Sequence, residues 1–265
     1  MRVRTFGLFV AVAALFWFQF VNARPAIEIW QSGLDRFDSR PARSILIIGN
    51  SRTYLHDMPH MVRLIADSER VPQKYQITTR TLPGVSFKDL WDDPVTQRLL
   101  SQTWDDIILQ GESRAEGSED NRNAFLTYGQ QLMTLAQVHG KTALIVNWAY
   151  GEAIWKGYPA EMRVTQYEDL QRDHASLARS TNAQLINVGQ VWEDALSELP
   201  AVPLYEDGNH PTVAGSYLSA LMVYAHLSRR RFSAASYVPS GISADQAMSI
   251  RRLVDNKSSP AGESD

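Results

Sequence analysis

Ser44 to Ile48 reads SILII, a short segment whose last four residues are an unbroken apolar run that stops at Gly49. A run this short, without polar alternation, suits a strand buried on both faces of a parallel sheet. The pattern recurs along the chain. DIIL at 106–109, TALIVNW at 142–148 and QLINV at 184–188 have the same character, and 75–82 alternates as a strand. Helical spacing fills the intervals. Met61, Leu64 and Ile65 mark a helix over 58–69; Phe125, Leu126, Leu132, Leu135 and Ala136 mark one over 123–139; a third covers 162–180. A strongly apolar helix over 212–227 and a more polar one over 243–255 follow the last strand. Strands alternating with helices at this spacing predict βαβ units. The expected fold class is therefore α/β: a parallel sheet of about five strands between two helical layers, a three-layer α/β/α sandwich.

Composition supports one globular domain and removes several chemistries. Of 265 residues, 44% are apolar and 21% charged, enough to bury a sizeable core. A formal net charge of -3 argues against binding nucleic acid through bulk positive charge. The absence of cysteine excludes disulfides, thiolate metal ligands, iron–sulfur clusters and a thiol nucleophile. No GxxxxGK[ST] or GxGxxG supports nucleotide binding, and no GxSxG supports an α/β-hydrolase elbow. No cofactor and no metal is expected. His56 and His60 lie four apart, but Pro59 between them spoils a shared helical face.

The N-terminus reads as a targeting segment. Arg2 and Arg4 precede an apolar stretch over 6–21, and Val21-Asn22-Ala23 ends on a small residue. This predicts a signal peptide over 1–23. The length of the stretch, and the bulk of Phe16, Trp17, Phe18 and Phe20, keep an uncleaved membrane anchor as the alternative. Either way the domain is expected to be exported, periplasmic or extracellular, meeting a membrane only through this segment. Residues 24–43 form a lead-in, 44–255 the folded domain and 256–265 a flexible tail.

In open α/β sheets functional residues gather beyond the carboxyl ends of the strands. Gly49-Asn50-Ser51 follows the first strand and Pro83-Gly84 the second. Gln110-Gly111-Glu112-Ser113 follows the third, and Asp207-Gly208-Asn209-His210 precedes the late apolar helix. A serine hydroxyl is a weak nucleophile and needs a base within reach, which His210 can be. Asp207, three residues earlier, can accept the other imidazole N–H and fix the ring. An oxyanion needs preplaced donors: the Ser51 N–H, the Gly84 N–H and the Gln110 amide are candidates. Taken singly, each has an ordinary reading. Ser51 can cap a helix, Gly84 can be a plain turn glycine, and Gln110 can tie down a loop. Asn50 orders the first turn and is a candidate for substrate contact. Trp155 and Tyr158 follow the fourth strand, as a stacking platform for sugar rings or as a loop folded onto the domain.

These pieces resemble the SGNH (GDSL-type) hydrolase superfamily. Gly49-Asn50-Ser51 resembles its first block, Gly84 the second, Gln110-Gly111 the third and Asp207-x-x-His210 the fifth. IIGNS, LPGVSFKDLW, WDDIILQGES, LIVNWAY and LYEDGNHPTVAGSYLSA are similar to a branch with a GNS first block and a DGxHPxxxGxYLxA fifth block. QGES is also similar to sialate and acetylxylan O-acetylesterases. The resemblance spans about residues 44–230 and implies the SGNH hydrolase fold with a flavodoxin-like sheet. It departs in the third block: the usual GxND would place Asn where Ser113 stands, leaving the third oxyanion donor open between Gln110 and Ser113. The implied protein is a secreted serine esterase, a carbohydrate esterase in class, acting on a small acyl ester or O-acetylated glycan. An O-acyltransferase using the same Ser51, His210 and Asp207 is one alternative. The other is a catalytically weak carbohydrate-binding or envelope-assembly protein.

Overall fold

Strand β1 (Ala42–Gly49) shows how the first apolar run is used. Ile45 and Ile47 enter one core, Leu46 and Ile48 the other, and none of the four is exposed. A strand covered on both faces has no solvent side, so its apolar residues run on without a break. The computed structural model describes residues 37–112, 118–230 and 236–258. The signal or anchor segment, most of the lead-in, Ser113 and the end of the tail lie outside these residues. Among the described residues no helix is long and apolar enough to cross a membrane.

After β1 the chain makes one helical turn, α1 (Ser51–Tyr54), a 3-10 turn at Leu55–Asp57, and α2 (Met58–Ser68). Next come β2 (Lys74–Thr81), α3 (Phe87–Asp92) and α4 (Pro94–Leu100). Then follow β3 (Asp106–Gln110), α5 (Glu119–His139), β4 (Lys141–Ile145), α6 (Glu152–Trp155) and α7 (Ala160–Thr181). β5 (Gln184–Ile186) leads into α8 (Val188–Glu198), and α9 (Val213–Ser228) and α10 (Ala244–Ser258) complete the described chain.

The five strands pair in parallel in the order β2-β1-β3-β4-β5. This is the doubly wound order in which the path from β1 reverses direction, opening a crevice beyond the carboxyl ends of β1 and β3. Residues of α2, α8, α9 and α10 cover one face of the sheet, and residues of α3, α5 and α7 the other. Helix α9 lies in the thicker layer and is buried nearly all round, which accounts for its strongly apolar sequence.

Three differences from the sequence reading have physical causes. The fourth strand ends at Ile145, not at Trp148. Val146 to Ala149 stay buried but leave the ladder; Val146 donates to Ile186 O at 3.0 Å and accepts from Gly189 N at 2.9 Å. The fifth strand likewise ends at Ile186, because Val188 already opens α8. That helix carries Trp192, which stacks on Trp148 at 4.0 Å and 4°, a contact of about 0.5–1.5 kcal/mol beyond area burial. The last helix, expected to end at Asp255, continues to Ser258.

Candidate active site

Ser51 stands at the crevice, directly after β1, as the first residue of α1. Asn50 caps that turn: its side chain accepts from Arg52 N at 3.1 Å and its Nδ2 donates to Gly111 O at 3.2 Å. Residues at a helix start leave backbone N–H groups without intrahelical partners. The Ser51 N–H is one, and no described group takes it.

The loop before α9 brings the other two groups to the serine. His210 Nε2 lies 3.0 Å from Ser51 Oγ, and His210 Nδ1 lies 2.7 Å from Asp207 Oδ2. With the carboxylate accepting from Nδ1–H, Nε2 is left with its lone pair toward the hydroxyl. Asp207 Oδ1 also accepts from the backbone N–H of His210 at 2.7 Å and of Asn209 at 2.9 Å. Partial burial pushes the Asp207 carboxyl up. Its hydrogen bonds from the His210 backbone, the His210 ring and Asn209 outweigh that and pull it down to about 2. Gly208 makes the tight turn possible at φ 85°, and a Cβ there would lie 3.0 Å from Ile154. An antiparallel bridge between Tyr205 and Pro211, and Glu206 N donating to His210 O at 2.9 Å, close the loop at its base.

Gly84 lies on the turn after β2, beside the end of β1, where Leu82 N donates to Gly49 O at 3.1 Å. Its φ is 62°, a Cβ would meet nothing within 4 Å, and no described group takes its N–H. The turn is held from both sides. Ser86 and Asp89 form a capping box at the start of α3. Glu112 Oε2 accepts from Phe87 N at 3.0 Å, and burial pushes the Glu112 carboxyl up despite that bond.

Two expectations need correction. Gln110 is placed as a brace, not as an oxyanion donor. Only 2% of it is exposed. Its Oε1 accepts from Asn50 N at 3.0 Å and Thr53 Oγ1 at 2.8 Å. Its Nε2 donates to Gly111 O and to Asn147 Oδ1, so both amide hydrogens are taken. Asn50, 5% exposed, uses its Oδ1 and one Nδ2 hydrogen within the same network, which makes it a brace of the turn. Ser113, the other candidate donor, lies outside the described residues.

Trp155 and Tyr158 belong to the loop that carries α6, which rests on the Asp207–His210 loop through Gly151 N donating to Gly208 O at 2.7 Å. Trp155 is half-buried, with Tyr158 edge-on at 5.8 Å and 90°. Tyr158 is 60% exposed. His56 and His60 face different partners: His56 Nε2 is 2.8 Å from Glu206 Oε1, and His60 Nδ1 is 3.4 Å from Asp57. Among the described residues no three His, Asp or Glu side chains form a group able to hold a metal ion.

Sequence reasoning missed Arg52 and Asn209. Arg52 is 2% exposed, and its guanidinium lies over the rings of Trp148 at 4.6 Å and Tyr150 at 5.3 Å. Nη1 donates to Trp148 O at 2.6 Å, while Nε and Nη2 donate to Asn209 Oδ1 at 3.1 and 2.9 Å. The available signals were their places in sequence, one residue after the serine and one before the histidine.

No family model matches the sequence, and no curated protein matches it. Solved structures do. A DUF4886 family protein from Bacteroides uniformis is similar at a TM-score of 0.68 and 17% identity, over 82% of this chain and 94% of that one. An SGNH hydrolase candidate from Slackia heliotrinireducens is similar at 0.56 and 20%, over 70% and 99%. Axe2, an acetylxylan esterase from Geobacillus stearothermophilus, is similar at 0.51 and 16%, over 71% and 93%. At these identities the likeness speaks for the architecture, and together with the strand order it shows that the chain has the three-layer α/β/α fold of the SGNH hydrolases.

Proposed function

We propose that the protein is an exported serine esterase. It hydrolyses small acyl esters, with O-acetyl groups on a carbohydrate as the substrate class. The observation that carries this is the chain of contacts from Asp207 through His210 to Ser51 Oγ, 2.7 and 3.0 Å long, at the crevice of the sheet. Ser51 Oγ bonds to the ester carbonyl carbon as its proton passes to His210 Nε2. The carbonyl π electrons move onto oxygen, for which the Ser51 and Gly84 N–H groups, unengaged among the described residues, are the proposed donors. When the carbonyl re-forms, the C–O bond to the alcohol breaks and the alkoxide takes the proton from His210. Water then repeats the sequence on the acyl-serine, giving the carboxylic acid and free Ser51. Asp207 stays ionised throughout and stabilises the imidazolium.

Two further observations support the carbohydrate substrate. A structure similar to this one is an acetylxylan esterase. The loop lying on the Asp207–His210 turn carries an exposed Tyr158 edge-on to Trp155, the kind of aromatic surface on which a sugar ring stacks. Export rests on the basic-then-apolar N-terminus. The expected result is turnover of p-nitrophenyl acetate and labelling of Ser51 by a fluorophosphonate, both lost in Ser51→Ala. Equal turnover by that variant would refute the assignment.

A further inference from the structure

Arg52 and Asn209 flank the two reacting residues. Arg52 follows Ser51 directly, and Asn209 directly precedes His210. Their side chains meet: two guanidinium nitrogens converge on Asn209 Oδ1 at 2.9 and 3.1 Å. The rest of each group is fixed as well. Arg52 Nη1 holds Trp148 O at 2.6 Å, and its plane is enclosed by Trp148 and Tyr150. Asn209 O accepts from Trp148 Nε1 at 3.2 Å, and Asn209 N donates to Asp207.

A buried guanidinium is desolvated, and charge-assisted bonds of this kind are short and directional. Resting on this esterase reading, we infer that Arg52 and Asn209 form a positioning pair. The clamp fixes the separation of Ser51 Oγ and His210 Nε2 by locking the residue after one to the residue before the other. Neither touches the reacting carbonyl. Asn209 Nδ2, the end not held by Arg52, lies 3.5 Å from His210 Nε2, so rotation of the amide would replace a donor by an acceptor beside the lone pair of the base. Arg52 sets that orientation, because a guanidinium can only donate and therefore selects Oδ1.

The test uses the purified protein, p-nitrophenyl acetate kinetics and the rate of fluorophosphonate labelling at Ser51, with circular dichroism confirming that each variant is folded. Loss of position by about 1 Å costs on the order of 100-fold in rate. Arg52→Met and Asn209→Leu are each expected to lower kcat and the labelling rate about 100-fold with KM changed by less than about twofold. The double variant is expected to fall no further, because each single change already breaks the same contact. Asn209→Asp keeps an oxygen toward Arg52 and is expected to recover about tenfold over Asn209→Leu. If Asn209→Leu does not fold, Arg52→Lys decides: it keeps the charge, loses the fork, and is expected to stay at least about tenfold below wild type. Single variants within about twofold of wild type would overturn the clamp. So would a double variant showing the product of two losses, or Asn209→Asp no better than Asn209→Leu. A folded wild type that fluorophosphonate does not label removes the esterase reading itself, and that outcome is visible before any variant is made.

Discussion

Replacing Gln110 by glutamate separates a brace from an oxyanion donor. The side chains are nearly isosteric, but an ionised carboxylate only accepts. One carboxylate oxygen would still accept from Asn50 N and Thr53 Oγ1. The other would face Gly111 O and Asn147 Oδ1, two acceptors that now receive Nε2–H bonds. Gly111 O keeps donors in Asn50 Nδ2 and Asn147 Nδ2, so the orphaned group is Asn147 Oδ1. With the introduced carboxyl protonated, its O–H satisfies one acceptor and the cost is one lost bond, about 1–3 kcal/mol. Ionising it in a site 2% exposed and ringed by acceptors is worse, so its folded pKa lies above the unfolded value of about 4.3. The penalty from the introduced carboxyl is then smallest below about pH 4 and grows as pH rises, because only the unfolded chain releases the proton. Held neutral to pH 7, the carboxyl adds about 2.7 × 1.36, or roughly 3.7 kcal/mol. Denaturant unfolding of Gln110→Glu is expected to show a deficit of about 1–3 kcal/mol at pH 4 and about 5–7 kcal/mol at pH 7. In thermal melts the added loss corresponds to about 7–15 °C. A small deficit independent of pH would refute the brace. Unchanged stability with kcat down about 10²–10³-fold would restore Gln110 to the oxyanion.

Two other measurements follow from the structure. His174 is fully buried; desolvation pulls it down to about 4, and its Nδ1 is 2.8 Å from Leu170 O. Only the unfolded chain takes up its proton between about pH 6.5 and 4, so stability is expected to fall there by up to about 3 kcal/mol; pH-dependent unfolding of His174→Leu should lack that component. Gly84→Ala meets no steric obstacle, so its cost is the φ of 62° alone, about 1–2 kcal/mol. If the Gly84 N–H serves the oxyanion as proposed, relaxing that strain displaces it, and steady-state kinetics should show kcat lowered about tenfold or more with KM nearly unchanged.

Most of the fold was legible because burial on both faces leaves a mark that local sequence carries. SILII and DIIL are strands that alternate between two cores, and nothing about distant partners is needed to see it. Boundaries failed where apolar character continued past the ladder. Val146, Trp148 and Ala149 are as buried as strand residues, yet they lie beyond the end of β4. Short helices such as α3 and α6 escaped for the opposite reason: a few residues held by caps and neighbours show no periodicity.

The site divides along the same line. Ser51, Asp207 and His210, which the structure brings within hydrogen-bond reach, were visible through residue type and the Asp-x-x-His spacing. Gln110 was visible but misread: a strand-end amide looks the same whether its hydrogens face a substrate or Asn147, and only a partner 37 residues away decides. Arg52 was invisible, since an arginine on a helical turn reads as a solvated charge. Its meaning lies in Asn209, 157 residues on. Residues that react must be of particular types, and that restricts the letter at their positions. Residues that hold the reacting groups in place need only a donor opposite an acceptor, which many pairs can supply, so their identity is set by the fold and appears only once the two loops are seen to meet.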